Sequence, residues 1–138
     1  MANSKVFFDT NILLYLLSDD TIKADQAEAL LCGGGLISVQ VLNEFASVAY
    51  RKLKMTYREI DEVLQTIRAI CEVKDLTLDT HVLGLSIAER YGFSFYDSLI
   101  VSAGVLADCE VLYSEDMQSG QTISDQLLIT NPFLSSET

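Results

Sequence analysis

Apolar residues along this chain alternate between two spacings, short continuous runs and helical repeats. Lys5-Val6-Phe7-Phe8 is a β-prone run that stops at Asp9. Ile12 to Leu17 reads as a buried helix broken by Ser18-Asp19-Asp20, and Thr21 is placed to cap a second helix over Ile22 to Cys32. That helix turns Ala24, Ala27, Leu30 and Leu31 inward, and Gly33-Gly34-Gly35 ends it. Leu36 to Val39 predicts a second strand. A helix follows with Val41, Leu42, Phe45, Val48 and Ala49 at helical spacing.

Thr56 with Glu59 three positions later has the form of a capping box. The helix behind it presents Ile60, Val63, Leu64, Ile67, Ile70 and Cys71 on one face. Leu76-Thr77-Leu78 predicts a short strand, and Asp79 or Thr80 a cap for a helix running to Tyr91 and Gly92. Tyr96 to Ala107 forms the next helix, with Leu99, Ile100, Ala103, Leu106 and Ala107 inward. Glu110 to Tyr113 and Leu127 to Ile129 complete the strands. Strands separated by helices predict a parallel sheet covered on both faces, and 138 residues suit a single domain.

Composition narrows the class. Hydrophobic residues make up 49% of the chain, with only seven Gly and one Pro, as in a compact globular protein. No apolar run approaches the roughly 20 residues that span a bilayer. Met1-Ala2-Asn3-Ser4-Lys5 lacks the pattern of a secretory leader, so the expected compartment is the cytoplasm, with no membrane partner. Cys32, Cys71 and Cys109 are odd in number and widely spaced, which argues for reduced, largely buried thiols. The net charge of −11 sits awkwardly with nucleic acid as a partner. Yet Arg51, Lys52, Lys54 and Arg58, four of the nine basic residues, fall in one short stretch. They are the candidate RNA contacts, although a solvated helix end accounts for them equally well. Bound divalent metal offsets negative charge, and acidity also suits a basic protein partner.

The placement of the acids is more informative. In open α/β sheets, sites form beyond the carboxyl ends of the strands. Asp9 and Asp116 each follow a predicted strand, Asp97 opens a helix, and Glu44 lies one turn into the helix after the second strand. Asp9, Glu44 and Asp97 interrupt strongly apolar sequence and have no basic sequence neighbour. A divalent cation is a natural counter-charge for such carboxylates. Singly, Asp97 also suits a helix cap, Asp9 a turn, Asp116 an acidic loop with Glu115, and Glu44 a helix surface. As a set of four, they point to a metal site.

Four segments resemble the motifs of PIN domains. They are Val6-Phe7-Phe8-Asp9-Thr10-Asn11-Ile12-Leu13, Val41-Leu42-Asn43-Glu44-Phe45, Phe95-Tyr96-Asp97-Ser98-Leu99-Ile100-Val101, and Leu112-Tyr113-Ser114-Glu115-Asp116-Met117-Gln118-Ser119-Gly120. Their order spans nearly the whole chain, and the small size resembles toxins of the VapC type. The resemblance implies a three-layer α/β/α fold around about five parallel strands. It implies that Asp9, Glu44, Asp97 and Asp116 hold one or two Mg²⁺ or Mn²⁺ ions. Thr10 or Asn11 would orient Asp9, and Ser114 would support Asp116. It further implies an endoribonuclease that leaves 5′-phosphate and 3′-hydroxyl ends, homodimers, and an antitoxin whose basic side chain enters the acidic pocket. Some relatives carry a further acid or Asn beyond the fourth motif, where this chain has Gln118. The apolar helices over Ile12 to Leu17, Ala24 to Leu31 and Ile60 to Cys71 are either partner surfaces or core.

Competing functions fit less well. A haloacid-dehalogenase-type phosphatase starts with DxD, whereas here the start is Asp9-Thr10-Asn11. A phosphoacceptor receiver needs paired acids after the first strand and a late Lys, but the last basic residue is Arg90. A PIN-fold binding module without catalysis would not need all four acids. The single histidine, His81, excludes a two-histidine ribonuclease mechanism and is expected to be structural or exposed.

Overall fold

The computed structural model describes residues 5–134, so the reading of Met1 to Ser4 lies outside the described residues. Six strands form one sheet, in chain order β1 (Val6–Phe8), β2 (Gly35–Ser38), β3 (Cys71–Lys74), β4 (Val111–Tyr113), β5 (Thr122–Ile123) and β6 (Leu127–Thr130). Across the sheet the order is β3-β2-β1-β4-β6-β5. Five strands are parallel as expected. The sixth, β5, is a two-residue strand antiparallel to β6 at one edge. Six α-helices are described: α1 (Thr10–Leu14), α2 (Thr21–Cys32), α3 (Val39–Arg51), α4 (Tyr57–Ile70), α5 (Leu78–Tyr91) and α6 (Phe95–Leu106). Among the described residues no helix is long and apolar enough to cross a membrane.

The central strands are short and largely buried. Phe7, Phe8, Ile37, Leu112 and Ile129 are inaccessible to solvent, and so are Ile12, Phe45 and Ile100 of the covering helices. Close approach of β1 and β2 explains Gly35. A Cβ there would stand 2.5 Å from Cε2 of Phe8 and 2.9 Å from Cγ2 of Val6. The capping box of Thr56 and Glu59 is present. Gly92 ends α5 in the left-handed conformation, at φ 81°.

Several expectations need correction. Leu76-Thr77-Leu78 is not a strand. The strand is Cys71–Lys74, which follows α4 without a loop, while Thr77 caps α5 and Leu78 begins it. Cys71 is buried in either assignment, so it extended the helical periodicity by one residue too many. Ile70 lies in the last turn of α4 and is exposed. Asp20, not Thr21, caps α2, its carboxylate accepting from Lys23 N at 3.2 Å. Ile12 to Leu17 is α-helical only to Leu14 and continues as a 3-10 turn over Tyr15–Leu17. Leu106 is exposed rather than inward. Cys71 and Cys109 are buried free thiols, but Cys32 is exposed on the last residue of α2.

Candidate active site

Asp9 ends β1 and caps α1, with φ −75° and ψ 162°. Its own N–H donates to Tyr113 O at 2.9 Å, which fixes it against the end of β4. The side chain is 3% exposed. Its carboxylate accepts from Thr10 N at 2.6 Å, from Ser114 Oγ at 2.7 Å and from Asn11 Nδ2 at 3.4 Å. Thr10, Asn11 and Ser114 therefore all hold Asp9. Ser114 was expected to support Asp116, but its hydroxyl donates to Asp9 and accepts from Met117 N at 3.2 Å.

The same residues tie Asp9 to its neighbours. Thr10 Oγ1 donates to Glu44 Oε1 at 3.0 Å, joining the start of α1 to α3. Asn11 Oδ1 accepts from Glu115 N at 3.2 Å, fixing the segment that carries Asp116. Two further residues were missed in the sequence. Gln40 donates to Glu44 Oε2 at 3.0 Å from one turn earlier on α3, and the i, i+4 spacing is the signal that finds it. Ser94 caps α6 and accepts from Asp97 N at 3.1 Å. Its position three residues before an acid, at a helix start, marks it.

The acids influence one another in pairs, Glu44 and Asp97 acting on Asp9, and Glu44 and Asp116 on Asp97. Burial pushes the Asp9 carboxyl up to about 7, and the charges of Asp97 and Glu44 add to this, against the hydrogen bonds from Ser114 and Thr10. Burial also raises Asp97. Its hydrogen bond with Ser94 opposes the shift, and the charges of Glu44 and Asp116 reinforce it. No cation is among the groups acting on Asp9 and Asp97.

Glu115, the acid adjacent to Asp116, is already paired. Lys23 Nζ lies 2.6 Å from it and Tyr15 donates to it. Burial works against its ionisation, but these hydrogen bonds hold its carboxyl below the usual range. Asp116 is exposed and has no such partner among the described hydrogen bonds and ion pairs.

Four carboxylates with surplus negative charge are hard oxygen donors, the kind that small divalent cations favour. As they stand, no three His, Cys, Asp or Glu side chains among the described residues are close enough together to hold an ion.

Beside Asp116 runs a cleft of about 540 Å³, lined also by Asn11, Leu14, Leu17, Val48 and Lys52 among others. The residues from Ile12 to Leu17 thus divide between core and cleft. Ile60, Leu64, Ile67 and Cys71 are core. Arg51, Lys52, Lys54 and Arg58 are all exposed. Lys52 faces the acidic cleft, whereas Arg51 and Lys54 line a separate pocket. His81 is exposed, with its ring edge-on to Phe95 at 5.7 Å.

Among curated proteins, none matches the sequence. Among solved structures, the fold is similar to a toxin–antitoxin complex from Klebsiella pneumoniae, with TM-score 0.71 and 18% identity, covering 94% of this chain and 98% of that one. It is also similar to DNA-bound VapBC from Salmonella typhimurium, with TM-score 0.68 and 18% identity over 94% and 99% of the two chains. A third similar structure is Mycobacterium tuberculosis VapC20, described as a sarcin-ricin loop cleaving toxin, with TM-score 0.67 and 18% identity over 81% and 90%. The family model for the PIN domain matches residues 6–119, a stretch that contains all four acids, and the chain belongs to the PIN domain family.

Proposed function

We propose that this chain is a metal-dependent endoribonuclease of the VapC toxin type, with Asp9, Glu44, Asp97 and Asp116 as its centre. The observation that carries the reading is the buried Asp9 at the end of β1, held by Thr10, Asn11 and Ser114 and linked through Thr10 to Glu44, with no cation paired to it among the described ion pairs. The similarity in fold to toxins and toxin–antitoxin complexes supports the same reading.

One or two Mg²⁺ or Mn²⁺ ions would be held by these carboxylates. A divalent ion there supplies Lewis-acid polarisation of a phosphoryl oxygen and lowers the pKa of water. Asp9 is the fixed member, held by Thr10, Asn11 and Ser114. Glu44 is aimed by Thr10 and Gln40. Asp97 at the start of α6 and the exposed Asp116 would complete the set. Gln118 is exposed beyond Asp116 and offers an amide, not a charge, to a second ion. The substrate is an RNA phosphodiester, hydrolysed to 5′-phosphate and 3′-hydroxyl ends.

Two protein partners fit the surface. The cleft of Leu14, Leu17 and Val48 beside Asp116 suits an antitoxin segment with an apolar face and a basic side chain. On α5, Leu78, Val82 and Leu85 are 74%, 57% and 52% exposed at helical spacing, which suits burial against a second copy.

The test is cleavage of a mixed RNA pool with Mg²⁺ or Mn²⁺, comparing wild type with Asp97→Asn. Metal-dependent cleavage that is lost in the variant is the expected result. Cleavage that persists in Asp97→Asn, or a folded, antitoxin-free, metal-supplied wild type that cuts nothing, goes against the reading.

A further inference from the structure

Beyond Glu44, the far end of α3 carries a surface that the four acids do not use. The rings of Tyr50 and Tyr57 stack with centroids 4.4 Å apart and planes 4° from parallel. Neither is covered, since Tyr50 is 47% and Tyr57 66% exposed. The helices that bear them bury other residues, including Phe45, Ala49, Ile60 and Leu64. Beside the rings is a pocket of about 500 Å³ lined by Tyr50, Arg51, Lys54, Met55 and Thr56.

Charge marks the same place. In a chain of net charge −11, the cluster of Arg51, Lys52, Lys54 and Arg58 brackets the tyrosines. The described ion pairs use Lys23 and Lys74, not these residues. Arg51 makes one described side-chain hydrogen bond, from Nε to Ser47 Oγ at 3.1 Å. It follows Glu44 by seven residues, which places it two turns and about 10 Å along the same face of α3. A local cationic and aromatic surface on an otherwise acidic molecule is complementary to a polyanion with free π-faces.

We propose that Tyr50, Tyr57, Arg51 and Lys54 form a subsite that grips single-stranded RNA a few nucleotides from the point of cleavage. An unpaired base continues the aromatic stack on the outer face of Tyr57, and the adjoining phosphates lie against Arg51 and Lys54. A duplex keeps its bases stacked on one another and does not fit. The position relative to cleavage rests on the nuclease reading above, whereas the RNA contact itself does not.

The experiment is fluorescence anisotropy of a short, labelled oligoadenylate titrated with the full chain in EDTA, where no metal-dependent cleavage intervenes. Thermal melts establish that each variant is folded. Tyr50→Ala/Tyr57→Ala weakens binding roughly 10-fold, and Tyr57→Phe binds like wild type. Arg51→Glu weakens binding and lowers the slope of log affinity against log salt by about one. The proposal is overturned if wild type does not bind, if the alanine pair binds as wild type does, or if polyglutamate displaces the RNA as readily as unlabelled oligoadenylate, which would assign the surface to an acidic protein. Binding through the tyrosines by a protein that cleaves no RNA with metal would sink the nuclease reading alone. Cleavage by a protein whose alanine pair binds normally would sink this inference alone.

Discussion

Asp9 is the residue on which the site turns, and its environment has consequences for stability. Burial holds its proton to about pH 7 in the folded protein, whereas in the unfolded chain it ionises near 3.8. Between those values the folded state binds more protons than the unfolded state, so metal-free stability falls as pH rises, by up to about 1.4 kcal/mol per unit. Above about pH 7 both states are ionised and this contribution levels off. Chemical denaturation of metal-free protein across pH 4 to 8 should show that decline, and Asp9→Asn should flatten it and be the more stable protein at pH 8. Ser114→Ala removes the 2.7 Å hydrogen bond to Asp9. RNA cleavage should then fall about 10-fold or more, through weaker metal affinity, as for other groups that orient ligands; unchanged metal dependence would show that Ser114 has no such role. The placement of the four candidate acids, Asp9 and Asp116 after strands and Glu44 and Asp97 on helices, was legible in the sequence. The real role of Ser114 was not, because its partner lies 105 residues away. Gln40 and Ser94 carried local spacing signals that were overlooked among more conspicuous acids.

At the scale of elements, β2 and α3 do most to place the site. β2 approaches β1 closely only because Gly35 has no side chain, and Ser38 then caps α3 through Val41 N at 3.4 Å. Gly35→Ala should lower stability by about 1–3 kcal/mol, the usual range for overpacking, read as a lower denaturant midpoint with an unchanged slope. A variant as stable as wild type would mean that β1 and β2 move apart at little cost. Helices α3 and α4 were legible because each buries one face, and Thr56 with Glu59 announced α4. β3 was misplaced for a physical reason. It is an edge strand with only Cys71 fully buried, so it lacks the strong apolar run of a central strand, and Leu76 and Leu78, which carry that signal, are exposed instead. β5 has two residues and pairs only with β6, too little pattern to read.

At the scale of the molecule, the charge of −11 first argued against nucleic acid, and the structure divides that charge by position. Glu115 is neutralised by Lys23, Asp9 and Asp116 follow the ends of β1 and β4, and of the basic cluster Lys52 shares the cleft of Asp116 while Arg51 and Lys54 line a separate pocket. The order of motifs along the chain was sufficient to indicate the fold, because a parallel sheet gathers the ends of its strands on one side whatever lies between them. The exposed stripe on α5 could not be read from periodicity, since Leu78, Val82 and Leu85 have the same spacing as a core face. Sedimentation of wild type against Val82→Glu/Leu85→Glu should show a dimer giving way to monomer.

The most direct test of the proposed metal centre is calorimetric titration of Mn²⁺ into the metal-free protein near pH 6, repeated in buffers of different ionisation enthalpy. Wild type should bind one or two ions with release of protons, because Asp9 must ionise to become a ligand, and Asp9→Asn should lose both the binding and the proton release. Absence of Mn²⁺ binding to folded wild type, or equal binding by Asp9→Asn, would contradict the account.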